Sequence, residues 1–261
     1  MGGPWLRRAR PLLGTLVEVG VPEGRDDALA VAFEVIEQVQ RLMSIHDAKS
    51  DLSRLHAAPA GTLVDVHPWT GEVLQLAAGL SMQTGGLFDV ARGSGTWSCQ
   101  GTNGHASVVR HDVACRLDLG GIAKGWAVDR AVEALIELGV EALWVNAGGD
   151  LRSVGVALPI ALRDEVDGGV RPWLQLSDGA MATSWFGEGA RDSLHGQRKA
   201  VHVSVAAPRC VWADALTKVV AQTGDADEAW LRQLAARYEA RIWVHGPARP
   251  GLVTCCTSVS R

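Results

Sequence analysis

The chain has 261 residues, 47% of them hydrophobic, and a formal net charge of −4 with acids and bases interspersed. This is ample for a packed core, and it offers neither a basic patch for nucleic acid nor an acidic tail that would stay disordered. Five cysteines (Cys99, Cys115, Cys210, Cys255 and Cys256) form no C-x-x-C pair, which argues against a disulfide framework or a zinc site.

In chain order, residues 12–21 are rich in apolar and β-branched side chains and read as one strand, with a turn over 22–25. Residues 26–43 form an amphipathic helix, with Asp26 or Asp27 as its cap and Leu29, Ala32, Phe33, Ile36, Val39 and Met43 on one face. The next segment, MSIHDAKSDLSRLH, is polar and irregular; such a segment either wanders or binds something. Within it, Asp51 and Arg54 have the spacing of an i,i+3 surface pair. Residues 63–66 read as a short strand and 68–84 as a helix stopped by Gly85 and Gly86. Residues 92–111, rich in Gly, Ser and Asn, read as loop.

The stretch around which the chain is organised is DLGGIAKGWAVD, residues 118–129, taken with NAGGD, residues 146–150. Gly120 and Gly121 precede a helical pattern in which Val128, Ala131, Val132, Leu135 and Ile136 share a face, ending near Gly139. Glycines ahead of a helix N-terminus let backbone N–H groups approach an anion, and Lys124 adds a full positive charge. An apolar strand over 142–145 empties into the second glycine pair. Two such loops flanking one helix suit a phosphate or dinucleotide. They also suit two ordinary turns around a strand–helix unit, since neither the P-loop nor the G-x-G-x-x-G order is present.

Beyond it, residues 151–156, 159–162 and 173–176 read as antiparallel strands and 187–199 as a polar loop. A strand over 201–206, a helix starting over 213–220, a further helix over 227–238 and a last strand over 241–245 complete the chain. The elements mix without strict alternation, so the expected class is α+β, with mixed or antiparallel sheets packed on helices in a single domain spanning 1–261. No apolar run is long enough for a signal peptide or a bilayer span, so a cytoplasmic location without membrane insertion is expected. No oligomeric state is assigned.

Seven segments in register carry a resemblance: RPLLGTLVEV, MSIHDAKSDLSRLH, FDV at 88–90, DLGGIAKGWAVD, VNAGGDL, ATS at 182–184 and APRCVWADALTKVV. From about Arg10 to Val220 they resemble the ApbE family, the FAD:protein FMN transferases, whose architecture is T-fold-like. The resemblance implies FAD as substrate, bound with a divalent metal, usually Mg²⁺, at the pyrophosphate. A Ser or Thr hydroxyl of an acceptor flavoprotein would take the FMN moiety as a phosphodiester, releasing AMP. A metal, a lysine and glycine-rich backbone are what such chemistry uses for positioning and charge neutralisation.

Residue by residue, the resemblance gives the metal to the backbone of Ala123, to Asp214 and to Thr217. The family's threonine stands four residues past the aspartate, where this chain has Lys218, with Thr217 one place earlier. Either Thr217 reaches the metal or Lys218 replaces part of its charge. For FAD, the matching positions are Leu13, Gly14, Thr15, Ser44, His46, Phe88, Asp89, Asp118, Gly120, Gly121, Lys124, Asn146, Gly148, Gly149 and Asp150. Asp214 and His195 are the candidate catalytic residues. The family's H-[IL]-[IV]-D-P-x-T-G motif is replaced here by DSLHGQRKA, and His195 in that segment is the substitute base for the acceptor hydroxyl. The central region, 91–114, lacks the family's P-L-x-x-L-W-G run. The alternative reading is an FAD-binding protein or FAD pyrophosphatase with little or no transferase activity.

Overall fold

The computed structural model describes residues 4–102, 104–163, 169–186, 201–223 and 228–245. Among these, strands β1 (Trp5–Leu12), β2 (Thr15–Pro22), β6 (Leu143–Ala147), β7 (Asp150–Arg163), β8 (Val170–Phe186), β9 (Val201–Ala207) and β10 (Arg241–His245) form a seven-stranded sheet in that order. Every neighbouring pair in it is antiparallel. A second antiparallel sheet sets β5 (His105–Arg110) between β3 (Leu63–Val66) and β4 (Trp97–Thr102). The expected α+β class is what the chain adopts.

Helix α4 (Ala123–Glu137) packs against both α1 (Asp26–Met43) and α5 (Cys210–Thr223), and all three lie on the large sheet. The apolar face of α1 is buried as its 3.6-residue pattern requires, and meets Val17, Val19, Val128 and Val132 in one core. A second core joins α3 (Pro68–Gln83) and the small sheet to α5 through Leu74, Leu80, Trp126 and Leu216. Helices α2 (Asp51–Ala57) and α6 (Glu228–Arg237) complete the set.

Several sequence expectations are corrected. The single strand expected over 12–21 is a hairpin of β1 and β2, because Leu13 and Gly14 both take positive φ and reverse the chain. Asp26 and Asp27 lie in the first turn of α1 instead of capping it; Arg25 is the cap position. Ile136 is 45% exposed and leaves the buried face of α4. Part of the polar segment is helix α2, started by the Ser50 hydroxyl accepting from Ser53 N at 3.0 Å.

Asp51 is buried and not a surface residue. Besides pairing with Arg54, it accepts from His67 N at 2.9 Å and Thr70 Oγ1 at 2.6 Å. The loop expected over 92–111 contains β4 and β5, whose last residue, Arg110, is buried. Its guanidinium donates to the carbonyls of Leu55, Cys115 and Ala58 at 2.9, 2.8 and 2.6 Å, and so replaces apolar packing with a satisfied cation. The three short strands expected over 151–176 are two long paired strands, β7 and β8, with register shifts between Ser153 and Ala157 and between Ile160 and Ala161.

Candidate active site

Two hairpin turns and one helix N-terminus meet at one end of the large sheet. The β1–β2 turn is Leu13 and Gly14, with φ +54° and +70°; the β6–β7 turn is Gly148 and Gly149, with φ +65° and +105°. Positive φ at both central residues is what a type I′ two-residue hairpin demands. Gly148 has a second reason to be glycine: a Cβ there would collide with the Thr15 hydroxyl, so the turns press together. Leu13, which lacks glycine's freedom, is held by its N–H donating to Gln40 Oε1 of α1 at 2.5 Å. The Asn146 side chain accepts from Gly149 N at 2.9 Å and shapes the second turn.

Between the turns and α4 lies a pocket of about 800 Å³, lined among others by Leu13, Gly14, Thr15, Ser44, His46, Asp118, Gly120, Ala123, Lys124 and Gly148. That volume lies within the range of about 300–1,000 Å³ usual for small-molecule sites. A neighbouring pocket of about 300 Å³ is lined by Phe88, Asp89, Asp118, Gly121 and Lys218. Arg92 lines both pockets and pairs with Asp118 at 2.9 Å across their boundary.

Some predicted residues also shape the walls. Asp89 accepts from Ala91 N and Gly93 N at 2.8 and 2.7 Å, fixing the turn that carries Arg92. Asp118 accepts from Gly120 N at 2.8 Å, so that N–H serves the loop itself. Phe88 is buried in the core as well as lining the smaller pocket.

Asp150, Asp214 and Thr217 line neither pocket; they lie buried behind Lys124, Gly125 and Ser184. Lys124 Nζ reaches Asp150 Oδ2 at 2.5 Å. Asp214 Oδ2 accepts from Gly125 N at 3.0 Å, which places a carboxylate on the N-terminal turn of α4, where the helix dipole favours it. That approach needs a glycine: a Cβ on Gly125 would come within 2.8 Å of Asp214 Cβ and strike the Cys210 carbonyl. Asp214 Oδ1 is bound by Lys218 Nζ, four residues on along the same helix face, and Lys218 Nζ also donates to Ser184 Oγ at 3.3 Å. The Thr217 hydroxyl donates to the Asp214 carbonyl at 2.7 Å and stands 3.0 Å from Ser184 Oγ.

The electrostatics follow from burial. Burial pushes the Asp150 carboxyl up, helped by the Asp214 charge and opposed by Lys124 and Lys218, to about 6. Burial also works against the Asp214 carboxylate, but Lys218 and Lys124 outweigh it and hold this group below its ordinary value. Asp214 is thus the fixed anion and Asp150 the one near its titration point.

A magnesium ion on Ala123, Asp214 and Thr217 does not fit this donor set. One Asp214 oxygen serves a backbone N–H and the other an ammonium. Magnesium requires near-octahedral oxygen ligands, and the carboxylate expected to supply one is already paired. Among the described residues, no group of three His, Cys, Asp or Glu is placed to hold a metal. His195 lies outside the described residues.

Sequence reasoning missed Arg92, Gln40 and Trp185, all of which line the large pocket. Gln40 carried a signal, as a polar residue next to the buried Val39 of α1; Arg92 and Trp185 carried none.

An antiparallel sheet with helices packed on it, and a polar cleft backed by paired buried carboxylates and ammoniums, define an α+β protein with a candidate site at the hairpin end of the large sheet. The ApbE family profile matches residues 13–107 and 96–242, and the chain belongs to the ApbE family. It is 29% identical over 288 residues to an FAD:protein FMN transferase of Rhodobacter capsulatus, covering 88% of this chain and 54% of that protein. A second FAD:protein FMN transferase, of Klebsiella pneumoniae (strain 342), is 26% identical over 159 residues, covering 50% of each. The chain therefore spans about half the length of the curated relatives it matches. Among solved structures, the apo flavinyl transferase ApbE of Pseudomonas stutzeri has a TM-score of 0.78 at 20% identity, covering 98% of this chain and 95% of that one. The ApbE protein of Thermotoga maritima gives 0.79 at 21% identity, covering 92% and 94%. These likenesses bear on the fold. No helix among the described residues is long and apolar enough to cross a membrane.

Proposed function

We propose that this chain, acting as one unit, transfers the FMN moiety of FAD to a Ser or Thr hydroxyl of an acceptor protein. The observation that carries the reading is the position of Lys124. Its ammonium, anchored by Asp150, stands at the wall of the large pocket where the two glycine hairpins and the α4 N-terminus come together. A diphosphate placed there meets a cation and a helix dipole, while Val39, Met43 and Leu119 give the same pocket an apolar side for an isoalloxazine ring. The two relatives named FAD:protein FMN transferase support the same substrate.

In the proposed step the acceptor oxygen bonds to the phosphorus that carries riboflavin. The bond from that phosphorus to the bridging oxygen breaks, and AMP leaves with the electron pair. His195 is the proposed acceptor of the hydroxyl proton. Lys124 neutralises charge on the diphosphate, and Asp214 holds the α4 N-terminus and Lys218 in place. No step here runs through magnesium, because the donor set does not fit it.

The test is AMP release from FAD with and without a Ser- or Thr-bearing acceptor peptide, alongside the mass of the peptide. AMP release that requires the peptide and adds FMN to it supports transfer. AMP and FMN released without the peptide mark a pyrophosphatase, and FAD retained intact marks a binding protein; either outcome overturns the transferase reading.

A further inference from the structure

The family resemblance implies a divalent cation at the diphosphate, and where the family carries a threonine ligand this chain has Lys218. Lys218 is 5% exposed, binds Asp214 Oδ1 and donates to Ser184 Oγ at 3.3 Å; Ser184 in turn lines the large pocket. The i,i+4 spacing on α5 sets the ammonium on the carboxylate, and the lysine lines the smaller pocket beside Gly121.

We propose that the Lys218 ammonium stands in for the divalent cation, so that this chain binds the FAD diphosphate without a metal. The proposal rests on the flavin reading of the same pocket.

Charge balance supports it. Two buried carboxylates, Asp150 and Asp214, face two ammoniums, Lys124 and Lys218. The cluster is already balanced, so neither carboxylate is left without a cation for a divalent ion to neutralise. To bind Asp214, it would have to displace Lys218 from the carboxylate and break a buried ion pair, which is unfavourable. The site keeps the positive charge such a diphosphate needs and fixes it covalently to α5.

The experiment measures FAD affinity of the full chain by quenching of flavin fluorescence, once in EDTA and once in millimolar Mg²⁺, with Mn²⁺ binding followed in parallel by EPR. The proposal expects equal affinity in the two buffers and an Mn²⁺ signal that remains that of the free ion. FAD binding that needs Mg²⁺, or Mn²⁺ captured stoichiometrically, overturns the proposal and leaves the flavin reading standing. No FAD binding in either buffer overturns both.

The variant Lys218→Thr, checked for folding by circular dichroism, adds a second arm. Its FAD affinity in EDTA should fall by about tenfold or more, the loss expected when a charged partner is removed. Mg²⁺ should restore part of it, because Asp214 is then released. An unchanged affinity in EDTA would contradict the proposal. If the variant does not fold, the wild-type measurement alone decides.

Discussion

Asp129 and Asp214 cap each other's helices. Asp129, on α4, accepts from Cys210 N and Val211 N at 2.8 and 2.9 Å at the start of α5; Asp214, on α5, accepts from Gly125 N at 3.0 Å at the start of α4. Each carboxylate meets the positive end of the other's helix, and Arg152 pairs with Asp129 at 2.8 Å. The two helices that back the pocket are therefore locked at their site-facing ends by charge as well as by packing.

Replacing Asp129 tests that lock. Asp129→Ala leaves two buried N–H groups and Arg152 without this partner, and a loss of about 3–5 kcal/mol is expected. Urea unfolding reads it directly. A loss within the scatter of ordinary surface substitutions, about 0.5 kcal/mol, would show that the contact does not hold the helices together.

Gly125→Ala forces α4 and α5 apart at their closest point and is expected to destabilise by about 1–3 kcal/mol, with weaker FAD binding. Gly79→Ala in α3 is the matched control. A Cβ there meets nothing within 4 Å, and a gain of about 0.4–1 kcal/mol is expected because the unfolded chain loses freedom. Equal effects at the two positions in thermal melts would remove close approach as the explanation.

FAD affinity should respond to the protonation of Asp150, raised to about 6 by burial and by the Asp214 charge. Above that pH the carboxylate neutralises Lys124; below it Asp150 takes up a proton and the ammonium faces the diphosphate unopposed. Affinity is expected to rise as pH falls from 7.5 to 5. Asp150→Asn should bind FAD more tightly at pH 7.5 and lose the inflection. The same inflection persisting in the variant would assign it to another group.

His56 tests the wall behind Asp118. Its Nε2 accepts from Leu117 N at 2.9 Å, so it serves only as the neutral ring. Burial, then the charges of Arg116 and Arg110, lowers its pKa below the ordinary value. The unfolded chain, with His near 6.5, takes up the proton more readily than the folded one. This contribution to stability is present above about 6.5 and is lost as pH falls toward the folded value. His56→Gln keeps an acceptor without titrating, so its melting temperature should fall less than the wild type's between pH 7.5 and 5.5. Parallel curves would contradict this.

What could be read from the sequence divides along physical lines. Helix α1 and strand β10 were legible over their full lengths because their apolar spacing is local. The turn at Gly148–Gly149 was legible because positive φ leaves a compositional mark, whereas the Leu13–Gly14 reversal was read as strand because a leucine at positive φ leaves none. Strands β4 and β5 were hidden, since Gly101 and Ser98 lower β propensity and the buried end of β5 is a cation, Arg110, satisfied by carbonyls from other elements. Helix α2 was hidden because its buried Asp51 is paid off by His67 and Thr70 across the fold. The site divides in the same way: Lys124 and the glycines were readable in place, whereas the burial of Asp150 and Asp214 behind the wall depends on partners 26 and 89 residues away.

The most direct test of the account is a crystal soaked with FAD. The account predicts the diphosphate within hydrogen-bonding distance of Lys124 Nζ, between the turns at Leu13–Gly14 and Gly148–Gly149. A diphosphate bound anywhere else, with Lys124 still paired to Asp150 and the large pocket filled only by solvent, would contradict it.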